Sequence, residues 1–351
     1  MLPHEVRKPE VPHRYPIREI ARQAGVSDAT VDRVLHGRAG VRAGTAGLVH
    51  QAIRDLDAQR TQLELTGRRF MVDVVVDAPT RFTAAVRQGL EAALPGLRPA
   101  VFRARFSFQE RWDPDGCAEV LRRIADRGTQ GVILKAPDVP VVSTAVAELE
   151  AAGIPVVTLV TDLPDSPRRA YVGFDNRAAG ATAAYLVEQW MRDRPGSVAV
   201  VVSNDWFHGE EQRGNGFRST LRALDPERAV LDLPGGDGLD RTTRDLFRRA
   251  LTEHPELDAV YSVGGGNRGI MAAFDDAGRA PRVVVGHDLA PENVELLRAG
   301  RIHAVLHHDL EQDLQRCCRI VMEAHGAIPP EERRHHSMID VITPYNVPAG
   351  L

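Results

Sequence analysis

The sequence predicts a small all-α domain near the N-terminus, followed by a larger α/β domain of two similar lobes with parallel sheets. Two observations predict this fold class. Residues 17–35 carry apolar side chains at helical spacing on both sides of a glycine. From Phe70 onward, short runs of β-branched residues alternate with helical stretches, and this alternation occurs twice along the chain.

The stretch IREIARQAGVSDATVDRVL is typical of two short helices joined by a tight turn. Apolar residues at positions i, i+3, i+4 and i+7 give the first helix one buried stripe. Gly25 can adopt the left-handed conformation that ends this helix, and the Ser27 hydroxyl can cap the next one. The outer face of the second helix is small and polar around Arg33, which suits a DNA major groove. An ordinary helical hairpin is the alternative interpretation.

A helix-turn-helix domain is expected over residues 16–56, between an N-terminal arm and a linker. Residues 1–15 contain three prolines and predict a flexible arm. A third helix is expected from Thr45 to Leu56, because its apolar residues recur at helical spacing. Residues 57–69 are then expected to form a hinge or linker.

The larger domain is expected over residues 70–351. Strands of a first lobe are predicted at FMVDVVVDA, PAVFRARF, GVILKA and IPVVTLVTD, and those of a second lobe at SVAVVVSN, RAVLDLP, DAVYSVG and PRVVVGHD. In open parallel sheets, ligands bind beyond the carboxyl ends of the strands. A cleft between two such lobes therefore predicts a small-molecule site.

Charge and composition agree with a DNA-binding end and place the protein inside the cell. Residues 1–69 carry 12 Arg and Lys against 8 Asp and Glu, while the remainder carries 32 against 40. The three cysteines include no C-x-x-C pair, so we expect reduced thiols. No apolar run approaches the ~20 residues of a membrane span, and the first residues lack the apolar core of a signal peptide. We expect a cytoplasmic protein with no membrane association.

The stretch IREIARQAGVSDATVDRVLHGRAGVRAGT closely resembles the N-terminal domain of the LacI/GalR family of bacterial transcription regulators, with the pattern A-G-V-S-x-x-T-V-x-R-V-L. Residues 70–345 resemble the periplasmic-binding-protein (type I) fold that these regulators use as effector domain, most clearly at EEQRGNGF. The resemblance implies a sequence-specific regulator, usually a repressor. Its expected partners are a palindromic operator, a second copy of the chain in a homodimer, and a small polyhydroxylated metabolite that is sugar-like, a polyol or a sugar acid.

The resemblance also assigns DNA contacts. Asp28 and Ala29 occupy the two positions that select bases, while Ser27, Thr30 and Arg33 occupy positions that touch phosphates or bases. Asp32 is a departure, because the family usually has serine there and a carboxylate near phosphate is repulsive.

The hinge departs from the family pattern as well. Family hinges begin with Pro-Asn and place a leucine in the minor groove. The Pro-Asn pair is absent here and the segment is shorter. Leu63 and Leu65 are therefore the candidate minor-groove residues.

Polar residues at the ends of predicted strands and helices are the effector-site candidates. Arg213, in R-G-N-G-F, offers a planar fork that can bond two hydroxyls or a carboxylate. Asp288 ends the strand PRVVVGHD at the family's aspartate position, and Asp138 follows GVILKA. The resemblance implies that these carboxylates accept hydrogen bonds from ligand hydroxyls. A loop residue or helix cap is the alternative for each.

Aromatic and amide side chains complete the predicted effector site. Phe82 occupies the family position for stacking on a sugar ring, and Trp206 is a second stacking candidate, with core packing as the alternative. Asn267 lies in a recast glycine-rich loop, where the glycines would let the backbone approach a ligand. His308 replaces a family glutamine. Lys135, one of two lysines in the chain, sits at a predicted strand end beside the cleft. It is expected to face solvent, and contact with an acidic group of the effector is the alternative.

Two other function classes agree less well with the sequence. A solute-binding receptor for carbohydrate uptake would need no DNA-binding domain, which counts against it. An enzyme is not expected, since the histidines lack H-E-x-x-H spacing and G-x-S-x-G is absent. No cofactor and no metal site are expected.

Overall fold

The computed structural model describes residues 14–65, 68–97, 100–203, 206–331 and 336–349. The chain divides into two compact units, Met1–Arg68 and Arg69–Leu351. Most of the predicted arm lies outside the described residues. Of the part that is described, Tyr15 is buried, and its hydroxyl donates to the Asp57 carboxylate at 2.7 Å.

The first unit is a helical domain formed by α1 (Ile17–Ala24), α2 (Asp28–Leu35) and α3 (Ala43–Leu65). Gly25 ends α1 with φ at 67°, the left-handed conformation predicted for it. The apolar stripes of all three helices meet in one core, because each helix has one apolar face. Its buried residues are Tyr15, Ile20, Ala21, Val31, Val49, Ala52 and Leu56.

Helix α3 runs further than the sequence suggested. The segment expected to be a linker from residue 57 is helical as far as Leu65. Its residues are mostly good helix formers, and no glycine or proline interrupts them before Gly67. The side chains of Leu63 and Leu65 lie outside the described residues, so their role in the minor groove stays a prediction.

The first lobe of the second unit has a parallel sheet of strand order β2-β1-β3-β4-β5. Helices α4 and α12 pack together, as do α5 and α6. The elements are β1 (Arg69–Asp77), α4 (Thr80–Ala93), β2 (Val101–Gln109), α5 (Pro114–Arg127), β3 (Gly131–Lys135), α6 (Pro140–Ala151), β4 (Val156–Leu159), β5 (Ala170–Val172) and, from late in the chain, α12 (Leu310–Ala324).

The second lobe has strand order β11-β10-β9-β8-β6-β7, with β11 antiparallel to β10. Helices α7 and α8 pack together, as do α9 and α10. The elements are α7 (Asn176–Met191), β6 (Ser197–Val201), α8 (His208–Leu224), β7 (Val230–Leu233), α9 (Asp240–Glu253), β8 (Leu257–Ser262), α10 (Asn267–Asp276), β9 (Val283–His287), α11 (Pro291–Arg298), β10 (Ala304–His307) and β11 (Asp340–Ile342).

The chain passes between the lobes after β5, after β10, and between α12 and β11. The first lobe therefore includes the late helix α12, and the second lobe includes the late strand β11. The predicted fold class, a helical domain followed by a two-lobed α/β domain with parallel sheets, is confirmed. In the part of the chain that the structure describes, no helix is both long and apolar enough to span a membrane.

Candidate functional site

Helix α2 presents the predicted base-selecting residues to solvent. Asp28, Ala29 and Arg33 are exposed, while Val31, on the opposite face, is fully buried. The Ser27 hydroxyl accepts a hydrogen bond from the Thr30 backbone N–H at 3.3 Å and thereby caps the helix. The exposed face is thus polar, and the buried Val31 on the opposite face packs the helix against the core of the helical domain.

Asp32 is already paired within the helical domain. Its carboxylate accepts a hydrogen bond from Arg38 Nη1 at 2.8 Å, and His36 Nδ1 lies 3.0 Å from its Oδ1. A DNA phosphate that approached Arg38 would have to compete with this carboxylate for the guanidinium. This pairing gives a physical reason to expect weak non-specific DNA binding.

Replacing Asp32 with alanine is expected to tighten binding to a random-sequence duplex by roughly threefold to tenfold at low salt, because one phosphate-repelling charge is lost and Arg38 is freed. Fluorescence anisotropy at several salt concentrations measures this. Asp55→Ala removes the same charge from α3 and serves as the control. Unchanged or weaker binding of Asp32→Ala would contradict the competition.

A cavity of about 250 Å³ lies between the two lobes of the second unit. Residues at the carboxyl ends of strands from both sheets line this cavity. Four of the predicted effector residues line it, and they come from both lobes: Phe82 from the first lobe, and Arg213, Asn267 and Asp288 from the second.

Arg213 is a buried charged residue of the cavity wall, at 5% exposure. Its Nε donates to Asn176 Oδ1 at 2.7 Å, and its Nη1 donates to the Val263 carbonyl at 3.3 Å. The guanidinium carbon lies 4.9 Å from the centre of the Phe174 ring. These contacts hold the planar fork at one orientation beside the cavity.

Asp288 lies in the turn directly after β9, with φ at 65°. Positive φ is uncommon for a residue other than glycine, so neighbouring contacts must hold it. The Asn293 amide donates to the carbonyls of His287 and Asp288, both at 2.8 Å. Asn267 in turn donates to Asn293 Oδ1 at 2.7 Å. One hydrogen-bonded network therefore positions both predicted residues.

Three predicted effector residues do not line the cavity. Trp206 is 45% exposed and is not part of the cavity wall, whereas its neighbour Phe207 lines the cavity. The Asp138 backbone N–H donates to the Trp206 carbonyl at 2.7 Å, and its carboxylate lies 3.9 Å from His208 Nδ1. Asp138 therefore joins the loops of the two lobes outside the cavity wall.

His308 lies behind the cavity wall, not on it. It is 1% exposed, and its Nδ1 lies 2.6 Å from Asp313 Oδ2. Its Nε2 is 3.9 Å from Asp288 Oδ1, while the preceding residue, His307, lines the cavity. Adjacent residues in extended backbone point to opposite sides, so His307 faces the cavity and His308 does not.

Arg81 is a cavity residue that the sequence analysis missed. From the first lobe, its Nε lies 3.2 Å from Glu292 Oε1 and its Nη2 donates to the Gly238 carbonyl at 2.9 Å, both in the second lobe. A Cβ on Gly265 would lie 2.0 Å from Arg81 Nη2. The glycine loop therefore makes room for this arginine. The available signal was an arginine directly before the predicted stacking residue Phe82.

Lys135 was expected to face solvent, and the structure contradicts that expectation. It is 8% exposed and lines the cavity, where its Nζ donates to the Asp77 backbone carbonyl at 2.8 Å. The Nζ also lies 3.7 Å from the centre of the Phe207 ring. Lys135 ends β3, so the sheet itself carries its side chain into the space between the lobes.

The profile of the periplasmic binding protein domain family matches residues 73–324. The chain belongs to this family. The profile of the bacterial regulatory proteins of the lacI family matches residues 16–58, which contain α1, α2 and most of α3. A LacI-family DNA-binding domain therefore precedes a periplasmic-binding-protein-like domain, as the resemblance implied.

A transcriptional regulator and a solute-binding protein are both similar to this chain. The HTH-type transcriptional regulator GntR of Pseudomonas aeruginosa is 28% identical over 254 residues, which are 70% of each chain. The ribose import binding protein RbsB of Salmonella typhimurium is 27% identical over 185 residues. That match covers 51% of this chain and 60% of the relative's length.

A solved structure confirms the fold of the second unit. GanP, a glucose-galactose binding protein from Geobacillus stearothermophilus, superimposes with a TM-score of 0.71 at 20% identity. The superposition covers 80% of this chain and 99% of GanP.

Proposed function

We propose that the protein is a sequence-specific transcriptional regulator, acting as a repressor, whose operator affinity is controlled by a small polyhydroxylated metabolite bound between its lobes. One observation carries this proposal. A single chain combines a LacI-family helical domain that presents α2 to solvent with a cavity walled by buried polar side chains.

The cavity suits a polyhydroxylated ligand. Arg213 supplies hydrogen-bond donors, Asp288 supplies acceptors, and Phe82 supplies an apolar face for a sugar ring. A volume of about 250 Å³ fits one small metabolite. Relatives and neighbours whose names specify ribose or glucose and galactose point to the same ligand class.

The proposed mechanism needs no chemical step. A ligand that touches both lobes stabilises their closed arrangement, which Arg81 also favours by bridging to Glu292. If the closed and open arrangements differ in operator affinity, ligand binding shifts the population between them. A homodimer on a palindromic operator is proposed, because one small helical domain makes few base contacts by itself.

Carbohydrate uptake without DNA binding is the second candidate, favoured by the match to RbsB. The two candidates differ in what they require of α2. A receptor would not depend on the exposed face of that helix, whereas a regulator would.

Arg33→Ala tests this difference. Loss of one base or phosphate contact is expected to weaken binding to a selected operator duplex by roughly tenfold to hundredfold at fixed salt. Anisotropy titration measures the change, and Arg54→Ala, on the third helix, is the matched control. If Arg33→Ala bound the operator as tightly as the unaltered protein does, α2 would not be the helix that contacts the operator.

A further inference from the structure

Two buried cations on the cavity wall have only neutral partners. Lys135 comes from the first lobe and Arg213 from the second, at 8% and 5% exposure. Their hydrogen bonds go to the Asp77 and Val263 backbone carbonyls and to the Asn176 side-chain amide. Within the described ranges, neither cation forms an ion pair with a carboxylate.

This arrangement is costly without a ligand. A charge removed from water needs an opposite charge or a full set of hydrogen bonds. Burial lowers the pKa of the Lys135 ammonium, and the Arg213 guanidinium lowers it further. The Glu210, Asp77 and Asp288 carboxylates oppose that shift from beyond ion-pair distance. A lysine has three N–H donors and an arginine five. Both residues therefore keep donors that the described part of the chain does not use.

The nearby carboxylates are already engaged. Glu210 accepts from the Ser203 backbone N–H at 2.7 Å and from its hydroxyl at 2.6 Å. Asp77 accepts from the Trp112 backbone N–H at 3.1 Å, and Glu292 pairs with Arg81. These carboxylates cannot approach the two cations without losing their own partners.

Asp288 differs from these carboxylates. No described residue donates a hydrogen bond to its side chain, and the nearest histidine nitrogen, His308 Nε2, is 3.9 Å away. The cavity therefore combines unpaired donors that carry positive charge with a free acceptor. A ligand that satisfies both must carry an anionic group and hydroxyl groups.

We propose that the effector is a monocarboxylate hydroxy acid of the aldonate class, whose carboxylate binds Lys135 and Arg213 and whose hydroxyls bind Asp288. This inference rests on the proposed effector function of the cavity. The ligand carboxylate would supply the negative charge that Lys135 and Arg213 lack among their described partners. The chain would then distinguish a sugar acid from the corresponding neutral sugar.

Isothermal titration of the full chain tests the proposal with matched probes. The probes are D-gluconate, D-galactonate, D-ribonate and D-arabinonate, each compared with its aldose and its alditol. At least one acid is expected to bind roughly tenfold to hundredfold more tightly than its neutral counterparts, the effect of one charged hydrogen-bonded contact. Lys135→Met is expected to remove that preference, and Lys135→Arg to restore part of it.

Arg222→Met is the control, because it removes an exposed cation from the outer part of α8. Three outcomes would overturn the proposal: equal or tighter binding of neutral sugars, binding by none of the acids, or a preference for acids that survives Lys135→Met. The proposed regulatory function is judged separately by operator binding. If the chain bound an operator and responded to a neutral sugar, the proposed regulatory function would stand. The proposal of an aldonate effector would then be refuted.

Discussion

Arg213→Ala is expected to abolish the effector response while leaving operator affinity unchanged. Arg213 is buried on the cavity wall, and its fork is fixed by Asn176 and Val263. Truncation removes the charged donors and leaves Asn176 Oδ1 without this partner, so effector affinity should fall by about a hundredfold or more. Titration of the tightest-binding probe, with and without operator DNA, measures both effects.

Two further variants make this result interpretable. Arg213→Lys keeps the charge but loses the planar fork, so it is expected to fold normally and still lose most of the affinity. Arg222→Ala changes an exposed arginine on the same helix and should bind the probe normally. A normal response in Arg213→Ala would remove Arg213 from the effector site.

The second large effect is expected at Val31. This residue is fully buried in the core of the helical domain, among Ile20, Ala21 and Val49. Val31→Asp would place an unpaired charge in a core too small to tolerate it. Operator binding is therefore expected to be lost completely, whereas probe binding by the second unit should be retained.

The control for Val31→Asp is Leu48→Asp. Leu48 is 55% exposed on α3, so the same chemical change there should cost less than about 0.5 kcal/mol of stability. Circular dichroism of both variants during heating compares the two effects. Retained operator binding by Val31→Asp would mean that the helical domain is not organised around this core.

Much of the fold could be predicted because its signals are local. Gly25 and Ser27 mark the turn between α1 and α2 by backbone and capping preferences that involve only a few neighbouring residues. The strands β3, β4, β6 and β9 are short and buried at every residue, which is typical of sheets covered on both faces. The end of α3 was less predictable, because the family hinge pattern suggested a break that helix-forming residues do not make.

The candidate site was predicted less completely because it depends on distant contacts. Arg213 and Asp288 follow from their places in family motifs. Arg81, in contrast, reaches Gly238 and Glu292, which lie far along the chain in the other lobe. Side-chain direction was the other gap, since the sequence could not tell Trp206 from Phe207 or His308 from His307.

The proposed function requires that the chain binds specific DNA sequences under the control of a ligand. Selection of bound duplexes from a random pool by the purified full chain, at physiological salt, tests it most directly. We expect a palindromic consensus, and the enriched duplex should change affinity when a pool of sugars and sugar acids is added. Failure to enrich any sequence, both without and with that pool, would contradict the claim.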